Sequence, residues 1–288
     1  MNNYKTIRKV VSAFKVNMGG EILQQPLPHP EIEQIDPFLL IQHGDFHAPG
    51  GGRPQDMGVG GHPHRGFSPV TFIYKGSVHH RDSIGNDSVV GAGGTQWMHA
   101  GRGIIHSERP SKELASQGGP NEFVQVWINT PAAHKMDAPH YQAMPSTETP
   151  RVELDKANVA VVAGEFAGVT GIARTFTPQT LLRFDLEAGA DLSFPIPASY
   201  NCLIYLLDGG MQVNGRAVTG REMVQFAPEG TDIRLVAEQP TRALLLSGEP
   251  IGEPVVSYGP FVMNRKSELM TAIQDSQTGK MGRLVEKF

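Results

Sequence analysis

Cysteine is almost missing from this chain: Cys202 is the only one in 288 residues. No intrachain disulfide can form, and no thiolate cluster can hold a metal, which fits a reducing compartment. Also missing is any apolar run of the length that a membrane-spanning helix needs. The basic opening MNNYKTIRKVVSAFKV has no apolar segment of the kind found in secretory leaders. The expectation is a soluble protein, cytoplasmic if the source is bacterial. Dense Lys/Arg runs are absent, and the net charge is -4. Duplex binding needs clustered cations to displace counterions, so direct nucleic-acid binding is not expected. Finally, histidine is absent after His140, and all 11 histidines lie at or before it. One half of the chain is equipped for chemistry.

What is abundant is glycine (33) and proline (22), the punctuation of many short strands. Val70-Thr71-Phe72-Ile73-Tyr74 is a β-branched and aromatic run closed by Lys75-Gly76. Ile84-Gly85-Asn86-Asp87 reads as a turn before Ser88-Val89-Val90, and Phe123 to Ile128 as another strand. The second half repeats the plan: Tyr200 to Gly209 can be laid on Phe67 to Gly76 with the glycines matched. Asn214-Gly215 is a hairpin turn signal, and Arg242 to Gly248 a buried strand. Between the halves, Thr130 to Arg151 carries four prolines and no period. The division expected is 1–137 and 138–288. Only the tail reads as helix, with Ser267 as cap and Gly279 as stop.

Gly60-Gly61-His62-Pro63-His64 precedes a strand. In extended chain residues i and i+2 share a face, so His62 and His64 can converge on one point. His106-Ser107-Glu108 has the same spacing, with one imidazole and one carboxylate. Two such pairs on neighbouring strands supply three nitrogens and one oxygen. That set suits Fe(II), and also Mn, Ni, Cu or Zn, while the lack of sulfur disfavours soft metals. His79 and His80 are adjacent and point to opposite faces, so they cannot share a site. His99 is a candidate donor behind the ligands. Arg65 points away from His64 and is expected to pair with a carboxylate.

These stretches resemble the pirin family of the cupin superfamily. The matching residues run His62-Pro63-His64-Arg65-Gly66-Phe67, then His80-Arg81-Asp82-Ser83 with Gly85, then Gln96-Trp97-Met98-His99 through His106-Ser107-Glu108. Gly248 to Val255 and Gly259-Pro260-Phe261-Val262-Met263-Asn264 complete the likeness. The resemblance implies an all-β bicupin: two jelly-roll β-barrels packed face to face, with a short C-terminal helix. It also implies non-haem iron in the first barrel only, held by His62, His64, His106 and Glu108. Ser68 departs from a glutamate common at that place, which is not the metal's carboxylate ligand. In the second half, Pro195 and Pro197 fall where His62 and His64 would stand.

The activity implied is a dioxygenase of the quercetin 2,3-dioxygenase type, with a planar phenolic or enediol substrate and dioxygen as partners. Glu108 is then the catalytic base, and Phe67, Trp97, Met98 and Phe123 are candidates to pack the substrate or simply to fill the barrel. The alternative is an iron-dependent redox-sensing regulator that binds a protein partner, a transcription factor or a metabolic enzyme.

Overall fold

The computed structural model describes residues 3–18 and 20–288. Its chain forms two compact units, and neither is one continuous stretch. The Cys202 unit collects the chain up to Val16, Gln24–Leu40 and Thr149–Ile251; the His62 unit collects Asn17–Leu23, Ile41–Glu148 and Gly252–Phe288. In these units the halves expected at 1–137 and 138–288 exchange their terminal segments. The cause is strand pairing: Ile7–Ser12 lies antiparallel to Glu222–Phe226, where the edge strand of the second sheet satisfies its backbone groups. The C-terminal residues return the other way. Phe261, Met263, Leu269, Ala272 and Met281 form one buried cluster in the His62 unit.

Both units are built from a four-stranded and a seven-stranded sheet. In the His62 unit the smaller sheet has the order Val59–His64, Ile104–Arg109, Ser77–Asp82, Asp87–Gly91. In the Cys202 unit the equivalent order is Asp191–Pro195, Asp232–Ala237, Gly210–Val213, Arg216–Thr219. The internal repeat read from the sequence is therefore a repeat of topology, and the chain is an all-β bicupin. The matched glycines have a shared cause. Gly76 (φ +72) and Gly209 (φ +80) both turn left-handed, and a Cβ on Gly209 would sit 2.3 Å from the Pro240 carbonyl oxygen. Asn214 and Gly215 also have positive φ, as a tight hairpin requires.

The Cys202 unit is filled by apolar side chains alternating along its strands. Leu182, Phe184 and Leu186 meet Ile204, Leu206, Phe194 and Leu245 in one buried cluster, each large side chain contributing about 1.5–3 kcal/mol. Its strand pair equivalent to the HxH hairpin places Pro195 opposite Asp232. In the His62 unit His62 stands opposite His106.

Helix is sparse but not confined to the tail. A six-residue helix, Lys112–Gln117, is capped by Ser111, whose hydroxyl accepts from the Leu114 N–H at 3.1 Å. The tail helix, Lys266–Gln277, begins one residue before the expected cap. Glu268, not Ser267, closes its start by accepting from the Asn264 and Arg265 N–H groups at 3.1 and 3.0 Å. Among the described residues no helix is long and apolar enough to cross a membrane.

Candidate metal centre

The antiparallel pair of Val59–His64 and Ile104–Arg109 brings three imidazoles together. His62 lies opposite His106, and His64 opposite Ile104. One ligand atom from each of His62, His64 and His106 lies within 4.8 Å of the other two. Ring centroids are 4.8 Å (His62–His64), 4.3 Å (His62–His106) and 5.0 Å (His64–His106) apart. His64 and His106 are buried and His62 is half-buried.

The protonation pattern of the three rings follows from what stands behind them. His62 Nδ1 lies 2.8 Å from the Gly60 carbonyl oxygen, and His64 Nδ1 lies 3.3 Å from that of Pro260. A carbonyl can only accept, so both rings carry their proton on Nδ1 and present a bare Nε2. Those two lone pairs face each other at 3.1 Å. His106 Nε2 is buried without a partner. Two bare nitrogens facing each other, with a third imidazole converging on them, form the donor set of a cation, so the residues fit a borderline or hard divalent metal. Burial, and after it the neighbouring His62, pushes His64 down to about 3, and burial holds His106 well below its ordinary value. Both are neutral at pH 7, the form that coordinates.

Glu108 has surroundings of its own. It is two residues beyond His106 on the same strand, past a register shift, and does not join the three imidazoles in one group. Its carboxylate is held instead by a row of side chains on the larger sheet. Strand register puts Gln125 beside Thr71 and Thr71 beside Gln96. Gln96 Nε2 and the Thr71 hydroxyl (3.2 Å) donate to Oε1, and Gln125 Nε2 donates to Oε2 at 2.8 Å. The amide orientations are fixed from behind. The Trp127 indole, which can only donate, gives its N–H to Gln125 Oε1 at 3.2 Å, and the Tyr141 hydroxyl reaches Gln96 Oε1 at 3.2 Å. Both carboxylate oxygens thus receive N–H donors. Burial, and less strongly the Glu108 and Asp82 charges, raises the Tyr141 phenol, which stays protonated as this donation requires.

The loop after His64 is locked. Gly66 has φ +85, and a Cβ there would lie 2.0 Å from the Val262 carbonyl oxygen. Lys135 Nζ, buried, donates to the carbonyl oxygens of Gly66 and Val262 and to Asn129 Oδ1. Burial pushes the Lys135 ammonium down to about 8. Gly66→Ala should therefore cost at least about 2 kcal/mol, combining left-handed strain with a backbone clash. Urea unfolding of the metal-free protein measures this, and a variant as stable as the parent would contradict it.

With this geometry in place, comparison with known proteins gives a consistent result. The pirin family profile matches residues 20–128, and the pirin C-terminal cupin domain profile matches residues 181–282. A pirin-like protein from Solanum lycopersicum is 36% identical over 280 residues, covering 96% of this chain and 92% of its own. The chain belongs to the pirin family. A Pseudomonas aeruginosa relative, whose name assigns it quercetin 2,3-dioxygenase activity provisionally, is 38% identical over 252 residues and covers 86% and 87% of the two chains. A crystal structure titled as quercetin 2,3-dioxygenase from Acinetobacter baumannii matches with TM-score 0.91 at 35% identity, covering 98% of this chain and 99% of that one.

Within this pirin, several sequence expectations find definite places. Arg65 points away from the imidazoles, with Nη2 3.0 Å from Asp275 Oδ2 and Nε 2.6 Å from the Arg102 carbonyl oxygen. His79 and His80 face different partners, Asp87 and Asp82. His99 Nδ1 lies 3.4 Å from the Ser68 hydroxyl, so the Ser68 departure from the common glutamate sits in this buried pair. Phe67 packs 5.0 Å from His64, but Trp97 and Met98 are core, and Phe123 packs on Phe46 at 6.2 Å. The indole beside the centre is Trp127, 5.4 Å from His64 and 4.3 Å from Phe67. A second acidic grouping, His43, Asp45 and Glu122, is occupied by the Lys75 ammonium, 2.8 Å from Glu122.

Proposed function

We propose that this pirin is a metal-dependent dioxygenase opening a flavonol such as quercetin, with His62, His64, His106 and Glu108 holding an Fe(II) ion. The observation that supports it is the convergence of three imidazoles, with bare Nε2 atoms on His62 and His64 and an unpartnered buried Nε2 on His106, together with a Glu108 carboxylate held by amide donors two residues further along the same strand. The relatives named for quercetin 2,3-dioxygenase activity point to the same reaction class. The metal, when bound, supplies a Lewis acid that acidifies a coordinated hydroxyl and a redox partner for dioxygen.

The chain's own residues do the rest. Glu108, acceptor on both oxygens, takes the proton of the flavonol 3-hydroxyl. Gln96 and Gln125 keep that carboxylate aimed, and Tyr141 and Trp127 keep the two amides from turning over. Trp127, half-buried 5.4 Å from His64, offers an aromatic face to a planar ring, and the fully buried Phe67 packs against it at 4.3 Å. In the overall reaction both dioxygen atoms enter the product while the central ring opens and carbon monoxide leaves.

Protein loaded anaerobically with Fe(II) is expected to consume dioxygen on addition of quercetin and to release carbon monoxide in equal amount. A fully metallated protein that does neither would remove the proposal.

A further inference from the structure

Two of the three imidazoles are oriented by backbone carbonyls, and the third is not. His106 Nδ1 lies 3.4 Å from His80 Nδ1, and His80 Nε2 lies 2.9 Å from Asp82 Oδ2. We propose that Asp82 and His80 are positioning residues for the metal centre, which together fix His106 in the tautomer that leaves its Nε2 free for the cation. This rests on the cation site proposed above.

Hydrogen-bond direction decides the chain of tautomers. The Asp82 carboxylate only accepts, so the His80 proton lies on Nε2 and His80 Nδ1 is bare. The contact between the two Nδ1 atoms needs one proton, which His106 must provide. His106 Nε2 is then bare, and it is the atom left buried without a partner. The reverse assignment would place a proton on His106 Nε2, pointing at the lone pairs of His62 and His64.

The pair is built to hold this direction. His106 stands opposite Asp82 and Glu108 opposite His80 on adjacent strands. Asp82 cannot swing away, because Oδ1 accepts from the Ile84 and Asn86 N–H groups at 3.1 and 3.0 Å and Oδ2 from Asn86 Nδ2 at 2.7 Å. His80 is fully buried, its ring stacked on Tyr141 at 4.0 Å and 6°. Tyr141 also donates to Gln96, which grips Glu108. One phenol therefore braces both the imidazole and the carboxylate arms of the centre.

The test uses the full-length protein, with His80→Phe and Asp82→Asn beside the parent. Phenylalanine keeps a ring against Tyr141 but offers His106 no acceptor. Asparagine can turn an N–H toward His80 and reverse both tautomers. Histidine 15N chemical shifts of the metal-free parent should show His106 protonated at Nδ1 and bare at Nε2. Co(II) affinity, measured by competition with a chelator, should fall about 10–100-fold in each variant, the usual cost of losing a ligand's outer partner. A parent protein with His106 protonated at Nε2, or folded variants that bind Co(II) as tightly as the parent, would overturn the proposal. Absence of Co(II) binding by the parent would instead overturn the cation site, and the metal-free spectrum would still decide the tautomer. Should a variant fail to fold, that same parent spectrum carries the test.

Discussion

His64→Ala is expected to weaken divalent-metal binding by more than about a hundredfold, since removing even an outer partner of a ligand histidine costs about 10–100-fold. His64 is buried, 4% exposed, with Nε2 3.1 Å from His62 Nε2. Alanine leaves two imidazoles with a void between them, too few nitrogens for a stable site. Elemental analysis after dialysis against metal-free buffer should find a single ion retained per parent chain and almost none in the variant. A pH effect of known sign accompanies this. Burial, and after it the neighbouring His62, holds His64 in the folded chain down to about 3, far below the ordinary imidazole range near 6.5. The unfolded chain therefore takes up protons first. The stability of the metal-free parent should fall as the pH drops from about 6.5 toward 3, and His64→Ala should flatten part of that slope. Equal metal retention in both proteins would rule out His64 as a ligand.

Glu108→Gln is expected to lower quercetin turnover by about 10²–10⁴-fold, the range for removing a general base. The substitution preserves shape but cannot accept the substrate proton. It also brings an amide N–H into a shell already made of donors: Gln96, Gln125 and Thr71 all point at this side chain. One of those contacts must break or turn, and Trp127 and Tyr141 resist the turning. Metal affinity should fall less than in His64→Ala, because the three imidazoles remain. Oxygen-electrode kinetics on metal-matched samples separate the two effects. Unchanged turnover would exclude Glu108 as the base.

The contrast between these residues shows what a sequence can and cannot disclose. The His62/His64 doublet and the outward Arg65 were legible because side-chain alternation is a property of the strand itself, settled within three residues. The row Gln96–Thr71–Gln125 was not, since each member belongs to a different strand and their alignment exists only in the register. For the same reason the donors to Glu108, which all lie on the larger sheet, could not be read from the sequence. Local pattern could separate His79 from His80 but could not say which of them turned toward His106. Trp97 and Trp127 are equally aromatic in the sequence, and only packing distinguishes the core indole from the one beside His64. The repeat of Phe67–Gly76 in Tyr200–Gly209 was visible through glycines that both turn left-handed. The placement of Ile7–Ser12 in the other unit was not, because an edge strand's sequence carries no address for a partner more than 200 positions away.

Anomalous diffraction from crystals of Fe(II)-loaded protein tests the central claim most directly. A single peak bounded by Nε2 of His62, His64 and His106, with a Glu108 oxygen turned to it, is the predicted result. A loaded protein whose iron lies elsewhere, or whose three imidazoles remain empty of it, would contradict the account at its foundation.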